Sequence, residues 1–167
     1  GKRDLRLAVD ELLGPSGITC EGEGRDVIEA LAEVPDEVFA TQMVGAGVAV
    51  DPLRPEGNPG RVTVVSPLAG TLLKVHPHAF VVMGEGQGVL VHLGIDTVQL
   101  EGEGFEVHVA EKDTVAAGDP IVSWDPAAVD AGGRSALVPV VVMDSPADSI
   151  EPAATGEVTT GQVLFAL

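Results

Sequence analysis

Beyond residue 17, apolar residues come in short runs dominated by Val and Leu and broken by Gly, Pro and Asp. The runs are Val62 to Val65, Thr71 to Val75, Phe80 to Met83, Val89 to Leu93, Ile121 to Trp124, Leu137 to Val142 and Val163 to Leu167. Short runs with turn residues between them predict β-strands, and a succession of them predicts an all-β fold, an antiparallel sandwich or barrel-like structure. The N-terminus reads differently. Leu5, Ala8, Val9 and Leu12 recur at helical spacing between Lys2 and Leu13, and Gly14-Pro15-Ser16-Gly17 ends the pattern. This predicts a short helix and linker over 1–17 ahead of one domain over 18–167. The apolar stripe is short, so the helix is expected to dock loosely. Two echoes point to internal duplication: residues 45–50 against 86–91, each following a Pro, a Phe and a Met, and 115–119 against 158–162.

Composition narrows the function classes. Hydrophobic residues make up 45% of the 167, aromatics only 3%, and Tyr is absent, so the core must be built from Val, Leu, Ile and Ala, which suits strands. A formal charge of -17 argues against nucleic acid, whose phosphates need cations to displace their counterions. It asks for partners that are basic around their docking site. No apolar stretch approaches the length of a membrane span, and the N-terminus lacks the order of a signal peptide, so a cytoplasmic location is expected. The single cysteine, Cys20, forms no internal disulfide and reads as a small strand residue.

The candidate chemistry lies in the hairpin from His78 to Gly94. Alternation puts Val89, Val91 and Leu93 on one face of the second strand and Leu90, His92 and Gly94 on the other. A five-residue loop from Gly84 to Gly88 would pair Met83 with Val89 and Phe80 with His92. His78 and His92 then become diagonal neighbours on one face beside Phe80, roughly 7 Å apart at the backbone. Two imidazoles so placed have three uses: phosphoryl transfer, with one nitrogen attacking phosphorus and the other ring donating to its oxygens; metal binding; or ordinary structural hydrogen bonding.

The run His92-Leu93-Gly94-Ile95-Asp96-Thr97-Val98-Gln99-Leu100, followed by Gly102-Glu103-Gly104-Phe105, resembles the segment around the phosphorylated histidine of glucose-type IIA proteins of the bacterial sugar phosphotransferase system. Pro77-His78-Ala79-Phe80 is similar to the segment with that family's second active-site histidine. Further likenesses lie at residues 34–39, 45–50, 66–71 and 115–120. The resemblance implies an antiparallel β-sandwich with both rings in a shallow apolar depression. It implies that His92 accepts phosphate from HPr and passes it to a cysteine on a IIB domain while His78 stabilises the phosphorylated state. It also implies that Phe39, Val44 and Val48 line the depression and that Asp36 and Asp96 form part of its acidic surround. No cofactor is implied. Regulatory binding to transporters or kinases is compatible with it.

Two departures stand out. The family often has a threonine near the second histidine, hydrogen-bonded to the phosphorylated ring, whereas this chain reads Val75-His76-Pro77-His78. That bond must be lost or supplied by His76 or Thr97. The family's Ser/Ala-Pro-Leu-x-Gly opening is replaced here by Cys20-Glu21-Gly22-Glu23-Gly24. His108 falls on an exposed strand and needs no special role. The enzyme alternative is a zinc-dependent, peptidase-like hydrolase using His76, His78 and His92, which lacks a well-spaced acidic ligand and general base. A lipoyl-type carrier fits poorly, because Lys74 and Lys112 lack flanking methionines. No metal is required, although adventitious zinc at His78 and His92 is expected when a neighbour supplies another ligand.

Overall fold

The computed structural model describes residues 13–14, 26–29, 31–52, 61–84, 86–145 and 156–158. Its strands are β1 (Leu13–Gly14), β2 (Asp26–Glu29), β3 (Gly45–Asp51), β4 (Val62–Val65), β5 (Gly70–His76), β6 (Ala79–Gly84), β7 (Gln87–His92), β8 (Glu106–Val107), β9 (Thr114–Val115), β10 (Pro120–Trp124), β11 (Val138–Met143) and β12 (Gly156–Val158). Two short helices, α1 (Glu37–Ala40) and α2 (Pro126–Ala131), and 3-10 turns at Leu31–Glu33 and Thr97–Leu100 fill the connections. Among the described residues the strands form two antiparallel sheets, one ordered β1-β4-β10-β8 and the other β12-β2-β3-β11-β7-β6-β5-β9.

Valine alternation explains why the large sheet is two-faced. Val48 and Val50, Val82, Val89 and Val91, and Val138, Val140 and Val142 point with Phe80 into the space between the sheets, where Ile121, Val122 and Trp124 meet them. The residues between them face outward. Ala49, Leu90 and Val141 bury themselves against Leu31, Val34, Phe39 and Ile95 in a second, smaller apolar cluster, with Val44 at its edge. His92 follows Leu90 by two positions, so the same alternation sends it to this outer face. The candidate side chain therefore stands on the sheet's second face, beside a satellite cluster rather than in the main core.

The expected sandwich is present, with differences in detail. The expected N-terminal helix lies outside the described residues except for its end, where Leu13 and Gly14 pair with Val64 and Thr63 of β4 instead of closing a helix. The expected strand over 163–167 and Cys20 also lie outside them. The echo at 45–50 and 86–91 corresponds to β3 and β7, which flank β11 symmetrically: Val140 faces both Val48 and Val91.

The hairpin register differs by one from the expected one. Gly84 pairs with Gln87 and Met83 with Gly88, so only two residues separate the strands, and of these Gly86 has a φ of +82°. Two-residue turns with a glycine in that region match the twist of paired strands better than longer loops do. Ala79, not Phe80, therefore lies opposite His92. Phe80 belongs to the main core and has no exposed surface.

Candidate functional site

His92 ends β7, and the turn after it is shaped to hold its ring. Gly94 bends the chain at a φ of +80°, and a Cβ there would lie 2.7 Å from Thr97 Cγ2 and 3.0 Å from the Ser135 carbonyl oxygen, so only glycine fits without strain. The turn aims the Gly94 carbonyl at His92 Nδ1, 2.6 Å away. A carbonyl only accepts, so in the neutral ring Nδ1 carries the proton and Nε2 keeps the lone pair. The buried Thr97 hydroxyl donates to the Leu93 carbonyl at 2.7 Å. Its proton is spent on fixing this turn rather than on either ring.

The other side of His92 is walled by Phe39, whose ring centroid lies 5.2 Å away at a tilt of 58°. Phe39 is placed by α1, and α1 by Asp36, whose carboxylate accepts from Val38 N at 2.9 Å and Phe39 N at 3.4 Å as an N-cap. Asp36 is thus a structural cap as well as part of the acidic surround. Asp96 is exposed, with a φ of 60° and no side-chain capping bond. Burial pushes the His92 imidazole below the ordinary histidine range; the Gly94 carbonyl and the Asp36 and Asp96 carboxylates pull the other way without cancelling it. One ring nitrogen is therefore unprotonated at neutral pH.

His78 sits not on a strand but in the Pro77-His78 turn between β5 and β6. Its carbonyl accepts from Leu93 N at 2.7 Å, extending the ladder past its last strand pair. Strand alternation does not bind a turn residue, and the His78 ring meets His92 edge-on, centroids 5.2 Å apart at 70°. The rings come together as expected, though by a different register and a different local geometry. Burial first, then the neighbouring His92 and His76, lower the His78 pKa to about 4.

Of the other expected lining residues, Phe39 touches His92 and Val44 packs at the edge of the satellite cluster. Val48 and Phe80 do not line the depression: both have no exposed surface and fill the main core, because alternation turns them inward. An apolar rim escapes sequence reasoning. Val38, Met43 and Val98 are 44%, 75% and 59% exposed. They sit on the elements flanking His92: Val38 beside Phe39 on α1, Met43 bonded through its N–H to the Val38 carbonyl, and Val98 on the turn after Asp96. Their signal is an apolar residue at each position where a surface helix or turn should be polar.

Among the described residues, no group of three or more His, Cys, Asp or Glu is arranged to hold a metal ion. His108 lies one residue past β8 rather than on a strand, and its ring meets the buried Ser123 hydroxyl of β10 at 2.8 Å, a part-buried contact. No described helix is long and apolar enough to cross a membrane.

Residues 23–147, which hold both histidines, match the family model for the phosphoenolpyruvate-dependent sugar phosphotransferase system, EIIA 1. The chain belongs to this EIIA family. It is 39% identical over 134 residues to the glucose-specific EIIA component of Oceanobacillus iheyensis, covering 78% of this chain and 77% of that protein. It is 40% identical over 143 residues to the glucose-specific EIIBCA component of Corynebacterium glutamicum, covering 84% of this chain but 19% of that relative's length. Among solved structures, the glucose permease IIA from Mycoplasma capricolum superposes with a TM-score of 0.75 at 32% identity, covering 93% of each chain. The EIIA domain is a phosphocarrier of a sugar phosphotransferase system, and its two-sheet architecture is that of the glucose permease IIA.

Proposed function

We propose that this EIIA domain accepts a phosphoryl group on His92 Nε2 from the phosphohistidine of HPr and passes it to a cysteine of a IIB domain during sugar uptake. The observation that carries the reading is the short bond between His92 Nδ1 and the Gly94 carbonyl. It leaves Nε2 as the nucleophile and stabilises the positive charge that the ring gains as the new bond forms. In the first step the Nε2 lone pair attacks phosphorus in line with the breaking P–N bond of the donor, whose histidine departs with that electron pair. In the second, a IIB thiolate attacks the same phosphorus, a P–S bond forms, and His92 leaves as the neutral imidazole.

His78 acts on the phosphoryl oxygens. A doubly charged phosphoryl group beside its ring reverses the local balance that keeps it neutral and favours the protonated, donating form. Phe39 and the exposed Val38, Met43 and Val98 supply an apolar docking rim, and Asp36 and Asp96 offer its edge to basic partner residues. The EIIBCA relatives fit a IIB acceptor joined to or working beside such a domain, and a cytoplasmic location fits with HPr as donor. Regulatory contacts with transporters or kinases would use the same rim. Incubation with phosphoenolpyruvate, enzyme I and HPr should place one acid-labile phosphate on the chain, undiminished by a chelator. No phosphoprotein would overturn the reading, and loss of transfer in the chelator would favour the zinc-hydrolase alternative.

A further inference from the structure

We propose that His76 is a positioning residue for this transfer: its ring holds the His78 ring in the plane that aims an N–H at the phosphoryl group on His92. The inference rests on His92 being the carrier. A bulge in β5 between Leu72 and Lys74 shifts the register so that His76 pairs with Ala79, and Ala79 in turn pairs with His92. Without that bulge, with Leu73 paired in the ladder, His76 would pass beyond the last rung. With it, His76, Ala79 and His92 form one row across three strands on the outer face. The outer two are about 10 Å apart at the backbone, two strand spacings. The residue between them is the smallest that keeps a Cβ, which leaves a gap above Ala79.

The His78 ring occupies that gap. It lies 5.7 Å from His76, nearly parallel at 22°, and 5.2 Å from His92 at 70°. The backbone of its turn is well fixed, because Pro77 restricts φ and Gly102 packs on the proline so closely that a Cβ there would lie 3.2 Å from Pro77 Cγ. The ring is not. Among the described residues no hydrogen bond holds it, so its rotation is set by the faces on either side. One of those faces, His92, is the group that changes during the reaction. His76 is the constant one, and its near-parallel stack is one of the two arrangements that ring pairs prefer. His76 is itself exposed, so replacing it leaves both apolar clusters intact.

The test is a double-mutant cycle read on transfer from the phosphorylated domain to a glucose-type IIB domain. Melting temperature serves as the fold control. His76→Ala should slow onward transfer about tenfold, the size expected for a coupled neighbour of a reacting group. His76→Phe, which stacks but has no N–H, should restore the rate to within about twofold. In a His78→Gln background His76→Ala should have no further effect, because no ring remains for it to stack on. Failure of phenylalanine to rescue, or an equal loss in the His78→Gln background, overturns the inference while leaving His92 as carrier. A wild-type domain that takes no phosphate on His92 overturns the carrier reading and this inference with it.

Discussion

His92 and His78 stand a ring's width apart and are held in opposite ways. His92 is fixed at the end of a strand by a 2.6 Å bond to Gly94, a glycine-only turn and the Phe39 ring. His78 rides on a two-residue turn, is partly buried, and its ring, among the described residues, meets other rings without a hydrogen bond. The difference suits a division of labour. A nucleophile must present one nitrogen in one direction, whereas a group that follows charge on the phosphoryl oxygens must adjust and change protonation between steps.

Replacing each ring by an amide probes this contrast most severely. His92→Gln should abolish phosphoprotein formation, because the atom that forms the P–N bond is gone. His78→Gln should still accept phosphate from HPr but lose about a hundredfold in onward transfer, the usual cost of removing a preorganised donor, about 3 kcal/mol. Labelling with radioactive phosphate separates the two, and equal behaviour of the variants would dissolve the distinction.

Phe39→Ala attacks the fixed seat alone. Truncating a buried Phe costs about 3 kcal/mol, so the melting temperature should fall by roughly 10 °C. Acceptance at His92 should slow as its ring gains freedom. Unchanged stability would show that the satellite cluster does not depend on this ring.

The pH dependence of stability should change least. Both folded-state histidines have lowered pKa values, His78 to about 4 from 6.5. Below pH 6.5 the unfolded chain takes up protons that the folded chain refuses. The associated stability is complete above that pH and is lost as pH falls toward 4. His78→Gln should flatten the melting-temperature profile over that interval. A profile parallel to the wild type's would mean that folding leaves the His78 pKa where the unfolded chain has it.

Much of the fold and the placing of His92 are legible in the sequence, because valine alternation is a strong signal. Val89, Val91 and their partners must face inward, and that alone sends His92 outward. The register is not legible. It depends on whether Gly84 to Gly88 forms a five-residue loop or lends its ends to the strands, and the local text allows both. Phe80 consequently belongs to the core and not to the site. Val48 differs for a simpler reason: the likeness at residues 45–50 identifies the segment, but its strand parity follows from pairing with Val140. The row of His76, Ala79 and His92 is also hidden, because it needs a bulge in β5 that no glycine or proline marks. The apolar rim stays silent because Val38, Met43 and Val98 are single residues on short elements that carry no periodicity.

His92 attacks through Nε2, in this reading, because Gly94 holds the proton on Nδ1. Nitrogen-15 and phosphorus-31 NMR of the histidine-labelled phosphoprotein measures this directly, since the substituted nitrogen loses its titratable signal and couples to phosphorus. The expected spectrum shows one phosphoryl group on Nε2 of His92, with Nδ1 still protonated. Phosphate on Nδ1 of His92, or on either nitrogen of His78, would contradict it.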